Sequence, residues 1–252
     1  MRLLHPLMDS HYSMLERRIF CYLSVTYCTI ILLRDVMTLL KGLLGKSPFK
    51  IDYHQTHADD QLAEVIEQRF ISRPGHSPIV ILCIGTDRST GDALGPLVGS
   101  ALADRIPNSI LYGTLDDPVH AVNLADTATI IQQRHGQPYI LAIDACLGQL
   151  STVGQITFSD GPLRPGAGVH KQLPSIGDAH ITGIVNVGGF MEYFVLQNTR
   201  LNIVIRMAQV IANATATTFN QTFSHDDVAI QKKTTTTTGK GSRLLDMFRS
   251  SM

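Results

Sequence analysis

Three observations predict an α/β fold with a largely parallel sheet for the middle of this chain. Short apolar runs of strand length alternate with amphipathic stretches at helical spacing. The stretches between successive runs are long enough to hold crossover helices, which return the chain to a parallel neighbour. Acidic residues gather just after the runs, at the edge where open α/β sheets hold their ligands.

The elements follow in order. Residues 58–70 place Leu62, Val65, Ile66 and Phe70 on one helix face, and Arg73-Pro-Gly75 breaks that helix. Residues 79–84, six apolar side chains between Pro78 and Gly85, read as a strand buried on both faces, since a half-exposed strand would alternate with polar residues. A polar turn, 85–91, precedes helical spacing at Ala93, Leu94, Leu97, Val98, Ala101 and Leu102. Thr90 or Asp92 is the expected cap, and Pro96 falls in the first turn, where a missing N–H costs little. A short strand at 109–112 leads into the turn 113–118. There Asp117 and Pro118 are the expected N-cap and first residue of a helix carrying Val119, Val122, Leu124, Ala125, Ala128 and Ile131, ending near His135-Gly136.

A third strand is expected over 139–143, stopping at Asp144, and a fourth over 153–158. The turn between them is too short for a helix, so the fourth strand is expected to form an antiparallel edge hairpin. A turn-rich loop, 161–168, precedes a segment holding His170, Lys171, Pro174, Gly177, Asp178 and His180. Residues 181–187 read as the last strand, and Gly188-Gly189 opens a helix or helix pair over about 190–214. There is no internal repeat.

The ends differ from this middle. In 1–36, an apolar run from 19 to 33 follows Arg17-Arg18; it falls short of the roughly 20 residues a membrane-spanning helix needs. No small-residue cleavage site follows it. The plain reading is an extension, with the functional start near Met37; a membrane or targeting role is the alternative. From 215 onward, threonines culminate in the run 234–238 with Gly and Lys around it, a composition that buries no apolar face, so 215–252 is expected to lack structure.

The chain has 252 residues, 44% of them hydrophobic, and a formal net charge of zero, which supports a sizeable core and argues against a nucleic-acid partner. Four cysteines, at 21, 28, 83 and 146, form no CxxC pair, as suits a reducing compartment.

Three chemistries fit the strand-end residues. Asp92 and Asp144, after the first and third strands, would face each other across the crevice if those strands are near neighbours. Two close carboxylates cannot both ionise freely, so they share a proton and activate water. The competing reading makes each a turn former or helix cap. A divalent metal is the second option, with His120, His170 or His180 joining the carboxylates, although no HExxH or closely spaced His pair supports it. A phosphate loop over 85–91 is the third; it lacks the Walker spacing and its lysine, and nearby carboxylates oppose an anion. Cys146 has no obvious base beside it and reads as a packed thiol.

Several segments, in order, resemble the spore protease YyaC family of spore-forming Firmicutes. They are Ile84-Gly-Thr-Asp-Arg-Ser-Thr-Gly-Asp-Ala-Leu-Gly-Pro96, Tyr112-Gly-Thr-Leu-Asp-Asp-Pro-Val-His120, Ile143-Asp-Ala-Cys-Leu-Gly148, Pro165-Gly-Ala-Gly-Val169, Ile181-Thr-Gly-Ile-Val-Asn186, Gly189-Phe-Met-Glu-Tyr193 and Leu196-Gln-Asn-Thr-Arg200. The similarity spans about 41–214. More distantly, Asp92-Ala-Leu-Gly-Pro96, Ile143-Asp-Ala145 and Pro165-Gly-Ala-Gly-Val169 resemble the germination protease that degrades small acid-soluble spore proteins.

The resemblance implies a three-layer αβα domain over 37–214, mostly parallel with an antiparallel edge, like the hydrogenase maturation endopeptidases. It implies a cytoplasmic peptidase of the forespore or mother cell acting on a protein or peptide, spore proteins among them, with no membrane role for the core. The germination protease's catalytic aspartates fall on Asp92 and Asp144. Asp87, Asp117, His120 and Lys171 are the expected cleft residues. By likeness to the maturation enzymes, nickel or zinc would be held by Asp92, Asp144 and either His170 or His180, with no cofactor otherwise required. The alternative is a peptidase-like protein that binds a peptide or metal without cutting.

Overall fold

The structure, a computed structural model, describes residues 48–73, 77–165 and 174–223. The apolar run 19–33, the loop residues His170 and Lys171, and the threonine run 234–238 lie outside them.

The chain forms β1 (Phe49–Asp52), α1 (Ala58–Ser72), β2 (Ile79–Cys83), α2 (Leu94–Arg105), β3 (Ile110–Tyr112), α3 (Leu124–His135), β4 (Tyr139–Gly148), a 3-10 turn (Leu150–Thr152), β5 (Gln155–Asp160), β6 (Ala179–Val187), α4 (Glu192–Gln197) and α5 (Leu201–Thr222). One six-stranded sheet runs in the order β1-β5-β6-β4-β2-β3. β2 pairs parallel with β3 and β4, and β4 pairs parallel with β6; β5 is antiparallel to both its neighbours.

The layers follow from strand alternation. Odd residues of β2 and β4 (Ile79, Ile81, Cys83, Leu141, Ile143) pack with Leu62, Ile66 and Phe70 of α1, Leu94 and Val98 of α2, and Met207 and Ile211 of α5. Even ones (Val80, Leu82, Ala142) pack on the other side with Leu124 and Ile131 of α3. All five residues of β2 are buried, as a strand covered on both faces requires. The result is a three-layer αβα arrangement with a mostly parallel sheet. No helix among the described residues is long and apolar enough to cross a membrane.

Five expectations change. The cap of α2 is Ala93, without a side-chain hydrogen bond, so neither Thr90 nor Asp92 caps it. Asp117 and Pro118 do not open α3. Val119 bridges Ile84 at the sheet, keeping the chain extended, and the helix begins at Leu124 behind Asn123. Thr114 and Asp117 instead close their own turn, the Asp117 N–H donating to Thr114 Oγ1 at 3.0 Å. β4 continues through Asp144 to Gly148, because β6 pairs with it there after β2 has ended.

The β4–β5 hairpin is absent: β6 inserts between them, and β1, too short for periodicity to reveal, covers the outer side of β5. The antiparallel strand is therefore one place in from the edge. Finally, α5 runs to Thr222, so the stretch expected to lack structure from 215 starts inside a helix, with Thr215, Thr218 and Phe219 buried.

Candidate active site

The sheet reverses its order beside β2. From β2 the chain goes outward to β3, then crosses back to β4 on the other side, which leaves a crevice at the carboxyl ends of β2 and β4. Asp144 is the first residue of β4 beyond its pairing with β2, which ends at Cys83–Ile143; across β6 it stands opposite Thr182.

Asp92 reaches the same crevice by a tightly folded loop. Gly85 has φ +145°, and a Cβ there would lie 2.0 Å from the Asp92 carbonyl oxygen. A Cβ on Gly95 would lie 2.0 Å from the Ile84 carbonyl oxygen. Glycine at both positions lets backbone approach backbone with no side chain between. The Thr86 N–H donates to the Asp92 carbonyl at 3.2 Å, and the Gly91 N–H to the Leu196 carbonyl at 2.8 Å, tying the loop to itself and to α4.

The crevice opens into a cavity of about 580 Å³. Asp92, Asp144, Cys146 and Thr182 line it, with His120, Arg88, Arg164 and Glu192 also on its wall. Val122, Leu147, Leu163, Tyr193 and Leu196 are among the residues that give it apolar surface.

The two acids are both displaced from ordinary aspartate behaviour. Burial raises the Asp144 carboxyl well above its usual value; the charge of Asp92 pushes it further, and a hydrogen bond from the Ala145 N–H opposes the shift. That bond is 2.8 Å to Oδ1. Burial alone raises Asp92. Cys146 is pushed up to about 11 by burial, a Thr182 hydrogen bond partly offsetting the rise, so it is a neutral thiol at neutral pH and a poor nucleophile.

Among the other sequence-derived candidates, His120 is on the cavity wall, its Nδ1 accepting the Val122 N–H at 3.3 Å. Asp87 and Asp117 are exposed and outside the lining. His180 also stands outside it; its Nδ1–H donates to the Gly161 carbonyl at 2.9 Å. Sequence reasoning did not single out Arg88, Thr182, Glu192 or Tyr193. All four lie within quoted motifs, Ile84–Pro96, Ile181–Asn186 and Gly189–Tyr193, and that is the only signal for them.

Among the described residues, no group of three His, Cys, Asp or Glu is placed to hold a metal ion. His170, one of the two histidines expected to join the carboxylates, lies outside the described residues.

Fold and site together define an α/β protein with two interacting, part-buried acids in its switch-point crevice. The family described as "Protein of unknown function (DUF1256)" matches residues 50–214, and the chain belongs to it. A relative from Bacillus subtilis (strain 168), "Uncharacterized protein YyaC", is 51% identical over 182 residues, covering 71% of this chain and 89% of that protein. Among solved structures, the NiFe hydrogenase maturation protease HycI from Thermococcus kodakarensis KOD1 is similar at 17% identity and a TM-score of 0.40, covering 61% of this chain and 97% of that one. The αβα description rests on the sheet and its two helical layers, not on that likeness.

Proposed function

We propose that this chain is a peptide-bond hydrolase in which Asp92 and Asp144 share one proton. The observation that supports this reading is the coupled pair itself: in one cavity, Asp144 is raised by burial and by the charge of Asp92. Environments that push two acids apart in pKa assign their roles. Asp144, shifted further, holds the proton; Asp92 carries the charge.

Asp92 takes a proton from a water molecule as that water attacks the peptide carbonyl carbon, and Asp144 donates its proton to the carbonyl oxygen. When the tetrahedral intermediate collapses, the C–N bond breaks and the amine leaves with the proton held by Asp92. One water is consumed, and the hydroxyl proton of the intermediate returns to Asp144. The resemblance of Asp92-Ala-Leu-Gly-Pro96 and Ile143-Asp-Ala145 to the germination protease supports the same roles. It also supports a sporulation setting, in the cytoplasm of the forespore or mother cell, with spore proteins among the substrates.

Cleavage of small acid-soluble spore proteins by the full chain, Asp92→Asn and Asp144→Asn tests this. Each variant is expected to lose about 100-fold or more in rate. Equal rates in all three overturn the assignment.

A further inference from the structure

Beyond its last pairing with β2, β4 has an open edge inside the cavity. The Ile143 carbonyl accepts the Ile84 N–H at 2.7 Å, the final bond of that ladder. In a parallel pair, alternate residues present their backbone groups to the same neighbour, so Ala145 directs its own toward the place β2 has left. Among the described residues no strand stands there: Thr86, which would follow in register, donates its N–H to the Asp92 carbonyl. The Ala145 N–H has turned to the Asp144 carboxylate instead. On its other edge β4 stays paired with β6, with a shift of register between Cys146 and Leu147.

Apolar residues stand on either side of the open edge. Leu147 and Leu196 belong to the side of the sheet covered by α5, Leu163 to the side covered by α3. Two further apolar residues at the cavity lie open to solvent, Val122 at 78% and Tyr193 at 57% exposure. Exposed apolar surface continuous with a cavity marks a binding surface.

We propose that an extended, apolar-rich polypeptide segment continues the sheet here, lying beside β4 in the place vacated by β2, with Ala145 as its main-chain partner and its alternate side chains against the apolar residues on either side. This is strand addition, in which main-chain bonds hold the peptide and flanking pockets select side chains. It rests on the reading of the cavity as a peptide-cleaving site and narrows the substrate to segments that are unfolded in their own protein. It also gives the Ala145 N–H a second acceptor, the substrate carbonyl, whose capture would remove the one bond that favours Asp144 in its charged form.

The test is binding of a fluorescein-labelled peptide, about four consecutive apolar residues between lysine pairs, to the full-length Asp92→Asn chain, with each peptide N–H methylated in turn. N-methylation at alternate positions is expected to weaken binding about tenfold or more, and at the intervening ones less than about twofold. Replacing the apolar residues by serine is expected to abolish binding. A flat methylation profile, the absence of saturable binding, or a dimer of this chain whose formation excludes the peptide overturns the proposal. Alternation without cleavage by the unsubstituted chain would overturn the hydrolase reading and leave strand addition standing; cleavage with a flat profile would do the reverse.

Discussion

Asp144 holds its proton more tightly than an ordinary aspartate does, and that has a measurable consequence. Its folded-state pKa is raised, so between the ordinary aspartate value and the raised one the folded protein binds more protons than the unfolded chain. Stability therefore falls as pH rises through that window. Asp144→Asn is expected to raise the melting temperature at pH 7, the gain shrinking to nothing as pH falls below about 4; differential scanning calorimetry across pH reads it. A lower melting temperature at pH 7 would contradict the cause given for the shift.

The same raised values place the acid limb of the pH–rate profile above about pH 4, the ordinary aspartate range. Gly85 sets the other acid: Gly85→Ala brings a Cβ against the Asp92 carbonyl and is expected to cost about 2 kcal/mol or more and to depress cleavage together with stability. Asp92 was legible because a carboxylate follows a two-face-buried strand. Its route into the crevice was not, because capping α2 and facing the cavity are equally compatible with its position in the sequence.

At the scale of elements, α5 is the instructive case. Its threonines suggested a polar tail, yet Thr215 donates its hydroxyl to the Ile211 carbonyl at 2.8 Å and Thr218 donates to the Ala63 carbonyl at 2.9 Å. With the hydroxyls satisfied, Thr215 and Thr218 are fully buried beside Phe219. Composition counts a threonine as polar; a helix can use its methyl. Phe219→Ala is expected to cost about 3–5 kcal/mol by chemical denaturation, a loss that a disordered tail starting at residue 215 would not show.

β2 and α1 were readable because length and periodicity agree there. The extent of β4 and the burial of β5 were not, since both depend on β6, a partner distant in sequence that no local pattern reveals. The delayed start of α3 has the same origin, the Ile84–Val119 bridge overriding a strong local helix signal.

Across the whole molecule, the sheet separates its structural charges from its candidate chemistry. At the end where β4 begins, Arg69 of α1 donates from Nε to Asp160 of β5 at 2.7 Å, tying the helical layer to the antiparallel strand. At the end where β4 finishes, Asp92 and Asp144 lie within the cavity. Arg69→Ala is expected to lower stability by about 1–3 kcal/mol while leaving the cleavage rate per folded molecule unchanged. A parallel fall in rate would show that the two ends are coupled. Layer order was legible from the succession of strands and helices, whereas strand order was not: β6 lies between β4 and β5 although β5 comes first in the chain.

The glycine contacts around Asp92 bear on how this protein can change over generations. Gly99 and Gly113 repeat the device seen at Gly85 and Gly95: a Cβ on Gly99 would lie 1.9 Å from the Gly113 carbonyl oxygen. The loop that carries Asp92 is thus shaped by close main-chain approaches as well as by the packing of the elements it joins. A side chain gained at Gly85 or Gly95 would therefore displace the Asp92 loop directly, whereas an exchange of core residues on either face of the sheet reaches it only through the main chain.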